Sequence, residues 1–158
     1  MNGNYEAALG VCKRHADRLA WAMTSLRPKF PLTIEGMGKL DDTELAVLDQ
    51  FSTRFAKLQD AMGAQLFPAV LELTKEQGNL AAFLDKLNRL EKIGVIPSAD
   101  HWLLLREMRN EFSHDYPDDP AIQSAMLNKA YNLASDLLAV LDRIESFARN
   151  YIEDKASY

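Results

Sequence analysis

The polar residues near position 110 are the part of the sequence best suited to chemistry. Arginine, asparagine, serine and histidine recur there every three or four positions, at Arg106, Arg109, Asn110, Ser113 and His114. On a helix, that spacing places the side chains on neighbouring faces. A guanidinium binds a phosphate through two parallel hydrogen bonds, and a histidine that titrates near neutrality transfers protons. Together these groups suit metal-independent cleavage of RNA, in which a 2′-hydroxyl attacks the adjacent phosphate.

Each of these side chains has an expected role. Arg109 would bind the non-bridging phosphate oxygens, and His114 would take the proton of the attacking hydroxyl or donate one to the leaving oxygen. Asn110, one turn before His114, would orient the imidazole or bind a phosphate oxygen. Arg106 and Ser113 are candidate substrate contacts. The alternative is structural, because arginine and histidine near a helix end commonly bond the last carbonyls or pair with neighbouring carboxylates.

The helix that carries these residues has predictable ends. Ser98 can cap its first turn. The helix must stop near Tyr116, because Pro117 disfavours helical geometry in the residue before it. His114 and Tyr116 therefore belong to a helix C-terminus, where side chains are exposed and the helix dipole favours imidazolium.

Apolar residues at helical spacing predict four more helices, over about 5–26, 41–66, 79–93 and 119–151. Gly63 and Pro68 are expected to bend or stop the second of these helices, and Asn79 is a candidate cap for the third. Gly94 suits the end of the third helix. Asp119 before Pro120 predicts the start of the last helix. The stretch 27–40, with two prolines and two glycines, is expected to be a loop.

The composition agrees with this all-α interpretation. The chain has 158 residues, which predicts one domain over 1–158. Leu and Ala far outnumber Val and Ile, as is typical of helical proteins. We therefore expect an antiparallel bundle of about five helices, with the long last helix offering a surface for a two-fold homodimer. A net charge of −5 argues against a broad basic face for nucleic acid.

The remaining features predict a cytoplasmic protein without a membrane span or a cofactor. Cys12 is the only cysteine, so an intrachain disulfide is impossible, and its apolar helical position predicts a buried structural thiol. The first ten residues lack a signal-peptide pattern, and no apolar run is long enough to cross a bilayer. His15 is expected on a polar face, solvated or locally paired. No His, Cys, Asp or Glu cluster has convincing metal-ligand spacing.

The motif Arg109-Asn110-x-x-x-His114-x-Tyr116 resembles the R-N-x-x-x-H-x-Y signature of the HEPN superfamily. Its closest branch is the HepT-like toxins, which are encoded beside a minimal nucleotidyltransferase antitoxin. In that family the signature closes the penultimate long helix of a small all-α bundle. Here it closes the fourth of five predicted helices.

This resemblance implies a function and its partners. The fold would be a HEPN-type bundle whose homodimer brings two Arg109/His114 pairs into one cleft. The activity would be metal-independent endoribonuclease, as the toxin of a type VII-like toxin–antitoxin system. Arg109 and His114 would be the catalytic pair and Asn110 their polar assistant. Tyr116 would be the residue that the nucleotidyltransferase modifies with AMP, which would place phosphate charge beside the cleft and block RNA.

Two other functions remain open. The chain could be a non-catalytic substrate-binding or accessory subunit of a nucleotidyltransferase. Acidic residues around the motif favour this version, because they would repel a polyanion. They are Glu107, Glu111, Asp115, Asp118 and Asp119. The third possibility is a helical scaffold in which Arg109 and His114 only stabilise a helix end.

Overall fold

A computed structural model of the chain describes residues 2–76, 82–113 and 118–157, and these ranges contain helices but no strand. The α-helices are α1 (Asn2–Leu26), α2 (Ile34–Gly38), α3 (Asp42–Ala61), α4 (Phe67–Leu73), α5 (Phe83–Lys92), α6 (Ala99–Glu111) and α7 (Pro120–Ala156). The predicted all-α class is confirmed, whereas the antiparallel order of the helices stays a prediction. None of the described helices is long and apolar enough to cross a bilayer.

The pairing of α1 with α3 is the most extensive helix contact, and α3 in turn contacts α6. Cys12 and Leu19 of α1 are fully buried, as are Phe51, Phe55 and Leu58 of α3. The predicted apolar stripes of both helices thus face the core, with Leu45 as the exposed exception. Because α3 lies against both α1 and α6, its outward face adjoins the surfaces of both of those helices.

The helix that begins at Asp42 does not end at Gly63. Asp41 and Glu44 form a reciprocal capping box at its start. A π turn, Met62–Leu66, then connects α3 directly to α4. Pro68 sits in the first turn of α4, where a missing N–H is tolerated. Gly63 and Pro68 therefore mark a change of helical pitch and not the end of the helical segment.

The end of α5 and the start of α6 follow the sequence prediction. Gly94 adopts φ +84°, and its N–H donates to the carbonyl of Glu91 while that of Val95 donates to the carbonyl of Leu90. This is a Schellman ending. The Ser98 hydroxyl accepts from the N–H of His101 at 3.1 Å, as expected of an N-cap. The start of α5 is Phe83, and Asn79 lies outside the described residues.

The last helix, α7, starts as predicted but buries a different face in its first half. The Asp119 carboxylate accepts from the N–H of Ala121 at 2.9 Å. The predicted core residue Ile122 is 42% exposed, whereas Leu127, Ala130 and Ala134 are buried. The prediction placed the larger apolar side chains in the core because they are the more hydrophobic. The alanines are buried instead, since small side chains allow the helix backbone to approach its neighbours closely.

The stretch 27–40 is more ordered than the loop that its prolines and glycines predict. It contains a 3₁₀ turn, Arg27–Lys29, and the short helix α2, which Thr33 caps through the N–H of Gly36. The Asn128 side chain accepts from the N–H of Leu32 at 2.7 Å and donates to its carbonyl at 2.9 Å. These bonds hold the stretch against α7.

Candidate functional site

The last turns of α6 expose the first half of the motif. Trp102, Leu105 and Met108 bury one side of this helix in the core. The opposite side turns outward with Arg106 and Asn110, both exposed at the surface. The helix is thereby anchored at every turn, so its polar side chains start from a fixed backbone.

Arg109 is held by a carboxylate of another helix. Its Nε donates to Oδ1 of Asp60 at 2.8 Å, and its Nη2 donates to Oδ2 at 2.9 Å. The side chains are 30% and 50% exposed, respectively, so water screens part of this attraction. The hydrogen bond that Arg109 donates to Asp60 raises the pKa of Arg109 above its ordinary value, so the guanidinium stays charged.

The ion pair with Asp60 uses only some of the hydrogen-bond donors of the Arg109 guanidinium. A guanidinium carries five N–H donors, and the side-on pair with Asp60 uses Nε and one hydrogen of Nη2. The end-on edge, formed by Nη1 and the second Nη2 hydrogen, is the other fork that matches two phosphate oxygens. Asp60 therefore orients Arg109 without occupying that edge.

Arg109 lines a surface depression of about 410 Å³ between α3 and the end of α6. Its lining comprises Ser52, Thr53, Ala56, Lys57, Asp60, Arg109, Phe112 and Ser113. Phe112 meets Phe55 edge-to-face, with ring centroids 5.4 Å apart, which fixes the turn after α6. Lys57 adds a second positive charge to the lining.

Ser113 has a structural contact besides its place in this depression. Its hydroxyl donates to the carbonyl of Asn110 at 2.7 Å, at the end of α6. The same oxygen can still accept a hydrogen bond, so Ser113 retains the capacity to contact a substrate donor. The exposed Asn110 side chain, in contrast, lines neither this depression nor the next one.

Arg106, one helical turn before Arg109, lines a separate depression. Its guanidinium stands 5.1 Å from the ring centre of Phe83, a cation–π contact. Both residues line a second depression of about 340 Å³, to which Asp60 and Gly63 also contribute. Asp60 is thus shared by the depressions of Arg106 and Arg109.

Two of the predicted functional residues, His114 and Tyr116, lie outside the described residues, as do Asp115 and Pro117. The meeting of Arg109 with His114 therefore stays a prediction, and so does the modification of Tyr116. The described part of the motif is its arginine, its asparagine and the turn through Ser113.

Several acidic neighbours of the motif have structural partners. Glu111 pairs with Lys129 at 3.4 Å. Asp119 caps α7, and Asp118 accepts a long hydrogen bond from Gln123. The ion pair neutralises one of these carboxylates, and the hydrogen bonds engage the other two.

Sequence reasoning missed Asp60, which accepts two hydrogen bonds from Arg109. The two residues lie 49 positions apart, and nothing in the sequence distinguishes Asp60 from the other acidic residues on the outward face of α3. Only the packing of α3 against α6 brings them together.

The structure also shows the surroundings of Cys12 and His15. Cys12 is fully buried, as predicted, and burial raises its pKa to about 12. Nδ1 of His15 pairs with Nη1 of Arg54 at 2.9 Å, which confirms a local partner. Within the described ranges, no group of three or more His, Cys, Asp or Glu side chains could hold a metal ion.

Comparison of the chain with protein-family models, with curated proteins and with solved structures finds no match.

Proposed function

We propose that the protein is a metal-independent endoribonuclease of the HEPN type, with Arg109 as its phosphate ligand. The observation that supports this most directly is the side-on pair of Arg109 with Asp60. It presents a charged, oriented guanidinium edge beside a depression at the end of α6. A preoriented cation of this kind stabilises the charge that develops on a phosphate during cleavage.

In this mechanism the 2′-oxygen bonds to phosphorus, and the bond from phosphorus to the 5′-oxygen breaks. The products are a 2′,3′-cyclic phosphate and a 5′-hydroxyl. One proton leaves the 2′-hydroxyl and another reaches the 5′-oxygen, so one base and one acid are needed. His114 follows Arg109 by five positions in the sequence and would serve one of these roles. A homodimer that joins two Arg109/His114 pairs would supply one imidazole for each proton.

The proposed partner is a minimal nucleotidyltransferase antitoxin that transfers AMP to Tyr116. Such a modification adds a phosphate two residues beyond His114. The new charge would compete with RNA for the end-on edge of Arg109. The toxin would thereby be silenced without the loss of its fold.

Growth arrest on expression without the partner tests this function. We expect arrest by the parent protein and none by Arg109→Ala or His114→Ala. Matched controls are Arg27→Ala, an exposed arginine outside the site, and His101→Ala, a histidine at the other end of α6 that pairs with Asp136. Both controls should still arrest growth. Arrest by the Arg109→Ala and His114→Ala proteins would contradict the proposal.

Purified protein provides the chemical test. Cleavage of RNA in excess EDTA, with 2′,3′-cyclic phosphate ends, is expected of the parent and not of Arg109→Ala. A strict metal requirement would exclude the mechanism. Mass spectrometry after incubation with the nucleotidyltransferase and ATP should find AMP on Tyr116, and the Tyr116→Phe protein should remain unmodified and active.

A second candidate function is a non-catalytic subunit that binds substrate for a nucleotidyltransferase. The same ion pair favours it, because Asp60 neutralises Arg109 and lowers its attraction for RNA. This function predicts a tight complex with the nucleotidyltransferase, no growth arrest and no RNA cleavage. The two experiments above therefore separate the candidates.

A further inference from the structure

A solvent-exposed tryptophan lies on α1, away from the end of α6. Trp21 is 53% exposed, although tryptophan is usually well buried. It lines a depression of about 580 Å³ together with Arg14, His15, Asp17, Arg18 and Arg54. Three arginines thus surround one exposed indole, on a chain whose net charge is −5.

These arginines are poorly neutralised. Of the described residues that line this depression, Asp17 alone is acidic. Among the described residues, no carboxylate lies within ion-pair distance of Arg14, Arg18 or Arg54. The cluster is therefore a local positive region on an acidic protein, and its charge complements an anion.

Arg54 is the most firmly positioned of the three. Its Nη1 donates to Nδ1 of His15 across the contact of α1 with α3. Its Nε is buried without a hydrogen-bond partner among the described residues. An ordered guanidinium that bonds a neutral imidazole keeps its full charge for a ligand, unlike Arg109, whose charge Asp60 offsets.

The two basic regions are neighbours along α3. Arg54 lines the depression of Trp21, and Lys57, one turn later, lines the depression of Arg109. Lys57 is also close enough to His15 to act on its charge. Arg54 and Lys57 therefore give each of the two depressions a positive charge from the same stretch of α3, and Asp60 lies beside Lys57 in the second depression.

We propose that Trp21, Arg14, Arg18 and Arg54 form a binding site for single-stranded RNA. An indole offers a stacking platform to an unpaired base of any sequence, and arginines contact the flanking phosphates. An acidic protein surface would satisfy the arginines but would leave the indole without a planar partner. The proposal concerns binding, so it holds whether or not Arg109 supports cleavage.

Binding is measured by fluorescence anisotropy in EDTA, with a short fluorescein-labelled oligouridine and the Arg109→Ala protein, so that the RNA stays intact. We expect Trp21→Ala to weaken affinity on the order of tenfold, the scale of one base stack. The matched control is Leu84→Ala, which truncates an equally exposed apolar side chain on α5. Equal affinity of the Trp21→Ala protein and this control would overturn the proposal.

The arginines are tested by charge reversal. Arg14→Glu/Arg18→Glu should weaken binding at least tenfold and flatten its dependence on salt concentration. The control, Lys39→Glu/Lys92→Glu, changes the net charge equally at exposed positions outside the depression. If both double variants lost the same affinity for RNA, the effect would come from net charge alone, which would contradict a defined site.

Intrinsic fluorescence reports stacking directly. The chain has two tryptophans, of which Trp102 is buried and Trp21 is exposed. Oligouridine should quench the emission of Trp21, and the Trp21→Phe protein should lose this response while it remains folded. An Arg109→Ala protein that binds no oligouridine, or that binds duplex RNA or polyglutamate as tightly, would overturn the proposal.

Discussion

Asp60 of α3 and Arg109 of α6 form two parallel hydrogen bonds of 2.8 and 2.9 Å. The pair joins two helices at the surface and lies between the depressions of Arg106 and Arg109. Its energetic value for folding is small, since exposed ion pairs contribute about 0–1 kcal/mol. Its main effect is on geometry, because it sets the direction of the guanidinium edge that we propose binds phosphate.

Replacement of Asp60 by asparagine tests this positioning role. Asp60→Asn should lower RNA cleavage on the order of tenfold to a hundredfold, because Arg109 loses its fixed orientation. Binding of RNA should be unchanged or stronger, because one negative charge is removed. Single-turnover cleavage and anisotropy, measured on the same preparation, separate the two effects.

Asp49→Asn provides the control for that variant, since Asp49 is also an exposed carboxylate of α3. It removes the same charge and should leave cleavage unchanged. Faster cleavage by Asp60→Asn would show that Asp60 restrains Arg109, contrary to its assigned role.

His15 should make the protein less stable in acid. Burial, followed by the charges of Arg54, Lys57 and Arg14, lowers the pKa of His15 below 6.5 in the folded state. The unfolded chain therefore binds more protons as the pH falls below 6.5, and folding stability decreases with it. Above that pH the contribution of neutral His15 is fully present.

Urea unfolding above and below pH 6.5 measures this effect. His15→Gln keeps an acceptor for Arg54 but cannot titrate, so its stability should fall less on acidification. The His101→Gln protein keeps His15 and should retain the loss. An identical pH profile for the parent and His15→Gln would refute the assignment.

Replacement by alanine should change the stability of the protein in opposite directions at two glycines. At Gly63 a Cβ would lie 3.5 Å from Trp102 and 3.7 Å from Phe83, which is ordinary van der Waals contact. Gly63→Ala should stabilise the protein by about 0.5–1 kcal/mol, since alanine loses less backbone entropy on folding. Gly94 has φ +84°, so Gly94→Ala should destabilise it by about 1–2 kcal/mol. Thermal unfolding followed by helical circular dichroism measures both changes, and a shift of the same sign would contradict this account.

The alanine face of α7 should resist enlargement. Ala134 is fully buried, so Ala134→Leu should destabilise the protein by about 1–3 kcal/mol through overpacking. Ala139→Leu adds the same side chain at an exposed position of the same helix and should change stability by less than about 0.5 kcal/mol. Denaturant unfolding compares the two variants directly. Tolerance of leucine at position 134 would show that α7 does not approach its neighbours as closely as described.

The sequence predicted those features that depend on local chemistry. The start of a helix at about residue 41, the caps at Ser98 and Asp119 and the helix end at Gly94 follow from a few adjacent residues, and each is confirmed. The stripes of α1 and α3 were also predictable, because they repeat over many turns.

Features that depend on distant packing were not predictable. The face that α7 buries depends on how closely other helices approach it, and small residues there carry little hydrophobic signal. Asp60 became a partner of Arg109 only through the contact of α3 with α6. The arginines around Trp21 come from two helices, and their clustering is invisible along either one.

The π turn between α3 and α4 has a consequence for how this chain can vary in length. In it, the N–H of Phe67 donates to the carbonyl of Met62, five positions earlier. Deletion of one residue from this turn would make the two groups ordinary α-helical partners, with both side chains still directed into the core. Most helical positions lack this tolerance, because a deletion rotates every later side chain by about 100°. A one-residue gap at 63–65 is therefore the length change that this helix would accept most readily in a homologous protein.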